Sequence, residues 1–122
     1  MSSRWSRRIV AVFVGAVMLA MIPGLSFGVT TRVKAKDNNT WGPAHKFIGR
    51  GDTVKWTNPS PRRHNIRSMN TATDWSFFKK LPRNQSRSKR FTRRGAYYYR
   101  CKLHSTVNNG DCDGMCGIIH VN

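Results

Sequence analysis

Residues 97–121 read YYYRCKLHSTVNNGDCDGMCGIIHV and hold all three cysteines of the chain, two of its four histidines and a methionine. The opening of this stretch alternates, with Tyr97, Tyr99 and Cys101 on one face and Tyr98 and Arg100 on the other. A period of two predicts a strand with one buried face. The last five residues quoted, GIIHV, read as the closing strand. The same period recurs upstream. In residues 30–39 Thr31, Val33 and Ala35 oppose Arg32, Lys34 and Lys36, and in residues 52–58 Val54 and Trp56 oppose Thr53, Lys55 and Thr57.

Between these segments stand turn signals. NPSPRR (residues 58–63) precedes a short strand over residues 64–68, HNIRS. A polar excursion over residues 69–80 is anchored by Trp75, Phe77 and Phe78. Residues 82–85 form a turn into a basic strand that ends near Phe91, and Gly95 marks another turn. After the N-terminal segment no stretch carries the i, i+3, i+4 apolar spacing of a long amphipathic helix. Many short strands punctuated by turns indicate an all-β Greek-key sandwich or small barrel. No internal repeat or Ser/Gly-rich linker divides it, so one domain is expected.

The N-terminus has a different character. Arg4, Arg7 and Arg8 precede an apolar run over residues 9–22, followed by Pro23, Gly24 and small residues. This is the order of a secretory signal peptide. Residues 1–28 are therefore expected to be a signal segment, or else an uncleaved anchor, and residues 29–122 the functional domain. The expected location is outside the cytoplasm: periplasmic, cell-surface or extracellular. The whole chain carries 22 Lys and Arg against 5 acids, all Asp, for a net +17. Without the three early arginines, 19 cations stand against 5 acids, a net +14. A field of that sign attracts acidic proteins, polyanions or anionic surfaces.

An odd number of cysteines leaves one unpaired after any disulfide forms. Two donor sets fit the spacing. Cys101, His104, Cys112 and Cys116 make a tetrahedral Cys3His set suited to zinc; with the positive charge, that set suggests a nucleic-acid or other polyanion-binding module. Alternatively, His64 at the start of a strand joins Cys101 and His104, with Met115 beyond a loop rich in Asn and Gly. Two imidazoles, one thiolate and a weak thioether suit a type 1 (blue) copper ion. Met115 on its own reads as a core gap-filler, and His45 and His120 as structural or surface residues.

The landmarks GDTVKWTN, HNI, LPRNQSRSKRF, GAYYYRCKLH and GMCGIIHV, in this order, resemble the plastocyanin-like members of the blue copper (cupredoxin) family. The resemblance runs from about Val33 to Val121. It implies a Greek-key β-sandwich of eight or so strands, and one copper ion held by His64, Cys101, His104 and Met115. It also implies that Asn65 steadies the ligand loop and that single electrons pass between redox partners. Neither an enzyme nor a small-molecule substrate is implied, since four histidines leave no cluster for further copper centres. The chain departs from the family in three places: Asn84 stands at the usual turn glycine, ten residues separate His104 from Met115, and Cys112 and Cys116 flank Met115 as an expected disulfide. In the family the second histidine's exposed edge is the electron port. Arg62, Arg63 and Arg67 near this pole imply docking of an acidic redox protein, with polyanion binding as the alternative use of the charge.

Overall fold

The computed structural model describes residues 28–69 and 75–122. The apolar run and the expected signal segment lie outside these residues except for Gly28. Nine strands are present among the described residues: β1 (Thr30–Ala35), β2 (Trp41–Gly42), β3 (His45–Ile48), β4 (Thr53–Thr57), β5 (His64–Ser68), β6 (Phe78–Leu81), β7 (Ser86–Arg90), β8 (Gly95–Asn108) and β9 (Asp111–Val121). They form two sheets, β2-β1-β4-β7 and β3-β9-β8-β5-β6. The β1–β4 and β3–β9 pairs are parallel, and the remaining neighbours antiparallel.

The alternation dictates which residues meet between the sheets. Val33, Ala35, Val54 and Trp56 enter from one side; Ile66, Leu81, Tyr97, Tyr99, Cys101 and Ile119 enter from the other. Trp75, Phe77 and Phe91 close the core from the connections. Trp56 sits at the centre, its ring 5.4 Å from Tyr99 and 5.5 Å from Phe77 by centroid. The turn over residues 82–85 forms as expected: Asn84 adopts a left-handed φ of 59°, and Gln85 N–H donates to the Pro82 carbonyl at 3.1 Å. A short polar side chain tolerates that conformation almost as glycine does.

Two expectations change. Phe78 is not a buried anchor; it opens β6 on the outer face, 52 % exposed, because only Leu81 of that strand turns inward. The segment between His104 and Met115 is not a loop but most of a β-hairpin. Asn109 (φ 50°) and Gly110 (φ 84°) supply the two left-handed residues of a two-residue hairpin turn, for which Asn-Gly is the strongest short signal. The ladder runs from Asn108↔Asp111 to Ser105↔Gly114 and resumes at Arg100↔Cys116. Residues 101–104 of β8 therefore stand against Met115 alone.

Trp56 makes the core testable. Its replacement by Ala leaves a large void between Tyr99, Phe77 and Phe91. Trp56→Ala is expected to lower folding stability by about 3–5 kcal/mol, read as a fall in the denaturation midpoint of the purified protein.

Candidate metal centre

The interruption of the β8–β9 ladder is where the donor side chains meet. Cys101 is the last inward residue of the tyrosine row and is fully buried. His64 opens β5 and is likewise buried, whereas His104 is partly exposed at the end of the four-residue excursion. The Cys101 Sγ lies 3.8 Å from His64 Nδ1 and 3.5 Å from His104 Nδ1. One donor atom from each of the three residues falls within 4.8 Å of the others. Met115, fully buried, is the single residue facing the excursion from β9. These four side chains form a cluster of the type 1 copper kind.

Local bonds hold the excursion in shape. The Ser105 hydroxyl donates to the Cys101 carbonyl at 2.6 Å, and Arg100 Nη1 donates to the Ser105 carbonyl and hydroxyl oxygens. Asn65 ties the two ligand-bearing strands together. Its side-chain oxygen accepts from Lys102 N–H at 2.7 Å, and its own N–H donates to Cys101 Sγ at 3.4 Å. This N–H ties the Cys101 sulfur to the strand that carries His64. Gly114 has φ +100°, and a Cβ there would stand 2.5 Å from the His104 carbonyl oxygen. Only glycine fits this contact, and it lets β9 bend beside the ligand. Trp41 donates its indole N–H to the Met115 carbonyl at 3.2 Å, fixing the backbone of the fourth residue.

Hydrogen-bond accounting settles the tautomer of His64. Asn58, almost fully buried, donates its amide to the carbonyls of Arg62 (2.7 Å) and Leu81 (2.9 Å). Its Oδ1 is therefore directed at Ser60, whose N–H and hydroxyl both donate to it, at 3.1 and 2.7 Å. With its proton committed to Asn58, the Ser60 oxygen can only accept from His64 Nε2, 2.9 Å away. His64 thus carries its proton on Nε2 and presents the Nδ1 lone pair to the cluster. A ligand histidine is commonly oriented in this way by the bond its other nitrogen makes.

The electrostatics keep both imidazoles free of extra protons. Burial, followed by the His104 ring and the Arg62 guanidinium, pushes His64 down to about 4. Burial and then Arg62 lower His104 as well. Near pH 7 the neutral ring of His64 is already in the form that binds a metal.

The residues present fit one soft or borderline metal ion: a buried thiol with a directed N–H, two neutral imidazoles aimed at it, and a buried methionine opposite. The Cys3His alternative is not assembled, because Cys112 and Cys116 are joined in a disulfide, leaving Cys101 as the free cysteine. Arg62 and Arg63 are exposed beside His64, whereas Arg67 lies on the outer face of β5 opposite Phe78 and Arg100. Sequence reasoning missed Ser60, Asn58, Trp41 and Gly114. For Asn58 and Ser60 the signal was in NPSP, since an Asn bonding the N–H two residues on is a standard turn device.

No protein-family model and no curated protein sequence matches the chain. Solved structures do. A purple cupredoxin from Nitrosopumilus maritimus matches at TM-score 0.61 and 22 % identity, over 75 % of this chain and 99 % of its own. An amicyanin variant in the reduced state matches at 0.60 and 21 %, over 78 % of this chain and 82 % of its own. A copper-containing nitrite reductase from Thermus scotoductus matches at 0.63 and 26 %, but this chain spans only 22 % of its length. The fold is that of the cupredoxins.

The Ser60 contact gives a direct test of the accounting. Ser60→Ala removes the acceptor that holds His64 in its Nε2–H form, and copper affinity is expected to fall about 10–100-fold. Competition against a chelator of known strength measures this, with the far-UV circular dichroism of the variant unchanged.

Proposed function

We propose that this protein binds one copper ion through His64, Cys101, His104 and Met115 and carries single electrons between protein partners. The observation that supports this most directly is the facing of two neutral imidazoles and a buried thiol across 3.5–3.8 Å on strands of a rigid sandwich. When bound, copper supplies a one-electron couple that thiolate and imidazole donors serve in both states. The chain's own residues supply the rest. Ser60 and Asn58 hold the His64 ring, Asn65 holds Cys101 against the excursion, and Trp41 with Gly114 holds Met115. Donors fixed this way move little when the charge at the site changes, which favours fast transfer.

Among the histidines of the cluster, His104 is the one that reaches solvent, so its ring is the exit for the electron. Beside His64 lies a hollow of about 300 Å³ whose lining includes Arg63, Lys80, Phe78 and Leu103. Leu103 is 59 % exposed and adjoins His104 in the chain. An apolar contact ringed by cations fits an acidic redox protein, with charge steering the encounter and the apolar centre seating it. The disulfide supports an oxidising location, in keeping with export directed by residues 1–28.

Voltammetry of the copper-loaded protein tests the reading. A reversible one-electron wave is expected, and Cys101→Ser should abolish it. With an acidic one-electron carrier as partner, the second-order transfer rate should fall as ionic strength rises. Arg62→Glu/Arg63→Glu should lower that rate at low salt without removing the wave. A wave that survives Cys101→Ser would overturn the proposal.

A further inference from the structure

The inner face of β9 carries Met115; the outer face of the same sheet carries two further histidines that the electron-transfer site does not use. His45 on β3 and His120 on β9 come from adjacent parallel strands. Their rings face each other edge to edge, with His45 Nδ1 3.1 Å from His120 Nε2, ring planes 17° apart and centroids 5.3 Å apart. A hydrogen bond between two imidazole nitrogens uses one proton, so one nitrogen donates and the other presents a lone pair. Phe47 lies flat against His120, 4.3 Å by centroid and 9° between planes, and covers one face of that ring. His45 is exposed, so it can swing to re-aim its nitrogen.

The hairpin adds a second component. The Cα atoms of Cys112 and Cys116 are 6.1 Å apart, where four residues of extended strand would span about 13 Å. β9 therefore folds sharply around Gly114, and the hairpin tip turns back over the outer face of the five-stranded sheet. There a hollow of about 290 Å³ is lined by His45, Met69, Asp111 and the Cys112–Cys116 disulfide, among others. Only five acids occur in the whole chain, and the fold brings one of them, Asp111, to the hollow that His45 lines. A carboxylate there offsets part of the repulsion that so cationic a protein exerts on a metal ion.

We propose that His45 and His120 bind a second copper ion, as Cu(II), on the outer face of the sheet, with Asp111 across the hollow that His45 lines. Two imidazole nitrogens each about 2.0–2.1 Å from one ion lie roughly 2.9–3.4 Å apart at angles between tetragonal and tetrahedral. The pair stands at 3.1 Å with the two nitrogens aimed at each other, so the separation is right and the exposed His45 ring has only to turn for both lone pairs to meet the ion. The ion takes the place of the shared proton, which moves through solvent to the far nitrogen of the same ring, so that both imidazoles bind in the neutral form and no electron moves. A nitrogen and oxygen donor set without sulfur suits Cu(II), the most tightly held of the divalent first-row ions in such sites. His120 lies five residues along β9 from Met115, or about 16 Å of strand, on the opposite face of the sheet. The second site is therefore separate from the first, and it does not depend on the electron-transfer reading.

The test is a Cu(II) titration of the full chain, followed by metal analysis and electron paramagnetic resonance on wild type, His45→Gln and His120→Gln. Both substitutions fall on the sheet surface, and circular dichroism verifies the fold of each. Wild type is expected to take up two equivalents, the second lacking a thiolate absorption band and showing nitrogen coupling. Each variant should bind that equivalent at least about tenfold more weakly while leaving the first unchanged. A wild-type protein that takes up no equivalent lacking the thiolate band, or such an equivalent that persists in both variants, overturns the proposal. Loss of the thiolate band alone would count against the electron-transfer site and leave this one standing.

Discussion

The structure turns on a mismatch between two paired strands. Four residues of β8, Cys101 to His104, are set against one residue of β9, Met115. A regular ladder would send Cys101 and the next outward residue to opposite faces of the sheet. The excursion instead curls the chain so that Cys101 and His104 approach the same point. It is held by the Ser105 hydroxyl on the Cys101 carbonyl and by Asn65 reaching across from β5. On the other strand it requires Gly114, the residue without a Cβ that lets the His104 carbonyl come so close. The disulfide then binds the bend from Cys112 to Cys116 and turns the hairpin tip over the sheet.

The sandwich supplies the third donor, because β5 begins where β8 breaks. His64 arrives with its orientation already decided by a buried chain of bonds through Ser60 and Asn58 to two backbone carbonyls. Each link has one permitted donor and one permitted acceptor. Leaving any of them unpaired in a buried site would cost about 1–3 kcal/mol, so the arrangement is stiff as well as specific. Rigidity of this kind serves an electron carrier, whose donors must suit two oxidation states without rearranging.

How much of this was legible in the residues depends on the range of the interactions. The strands with clean alternation, such as those holding Val54 and Trp56 or Tyr97 and Tyr99, could be read because burial imposes a period of two. The grouping of His64, Cys101, His104 and Met115 was legible through donor chemistry and resemblance, and Asn84 could be read as a turn residue from its tolerance of positive φ. The hairpin was not read, although Asn109-Gly110 announced it. Of the flanking residues 105–108 and 111–114 only Val107 and Cys112 are apolar, so no period marked them as strand. Phe78 was misread because an aromatic residue beside two buried ones looks like core. Only its register opposite Arg67 shows that it points outward. Ser60 and Trp41 act on residues they are far from in sequence or only turn-linked to, and nothing in composition records such contacts.

The most direct measurement is the visible absorption spectrum of the purified protein after one equivalent of Cu(II), beside that of Cys101→Ser. An intense thiolate-to-copper band is expected in the wild type, saturating at one equivalent and absent from the variant. A colourless wild-type protein, or a band that persists without the Cys101 sulfur, would contradict the copper assignment.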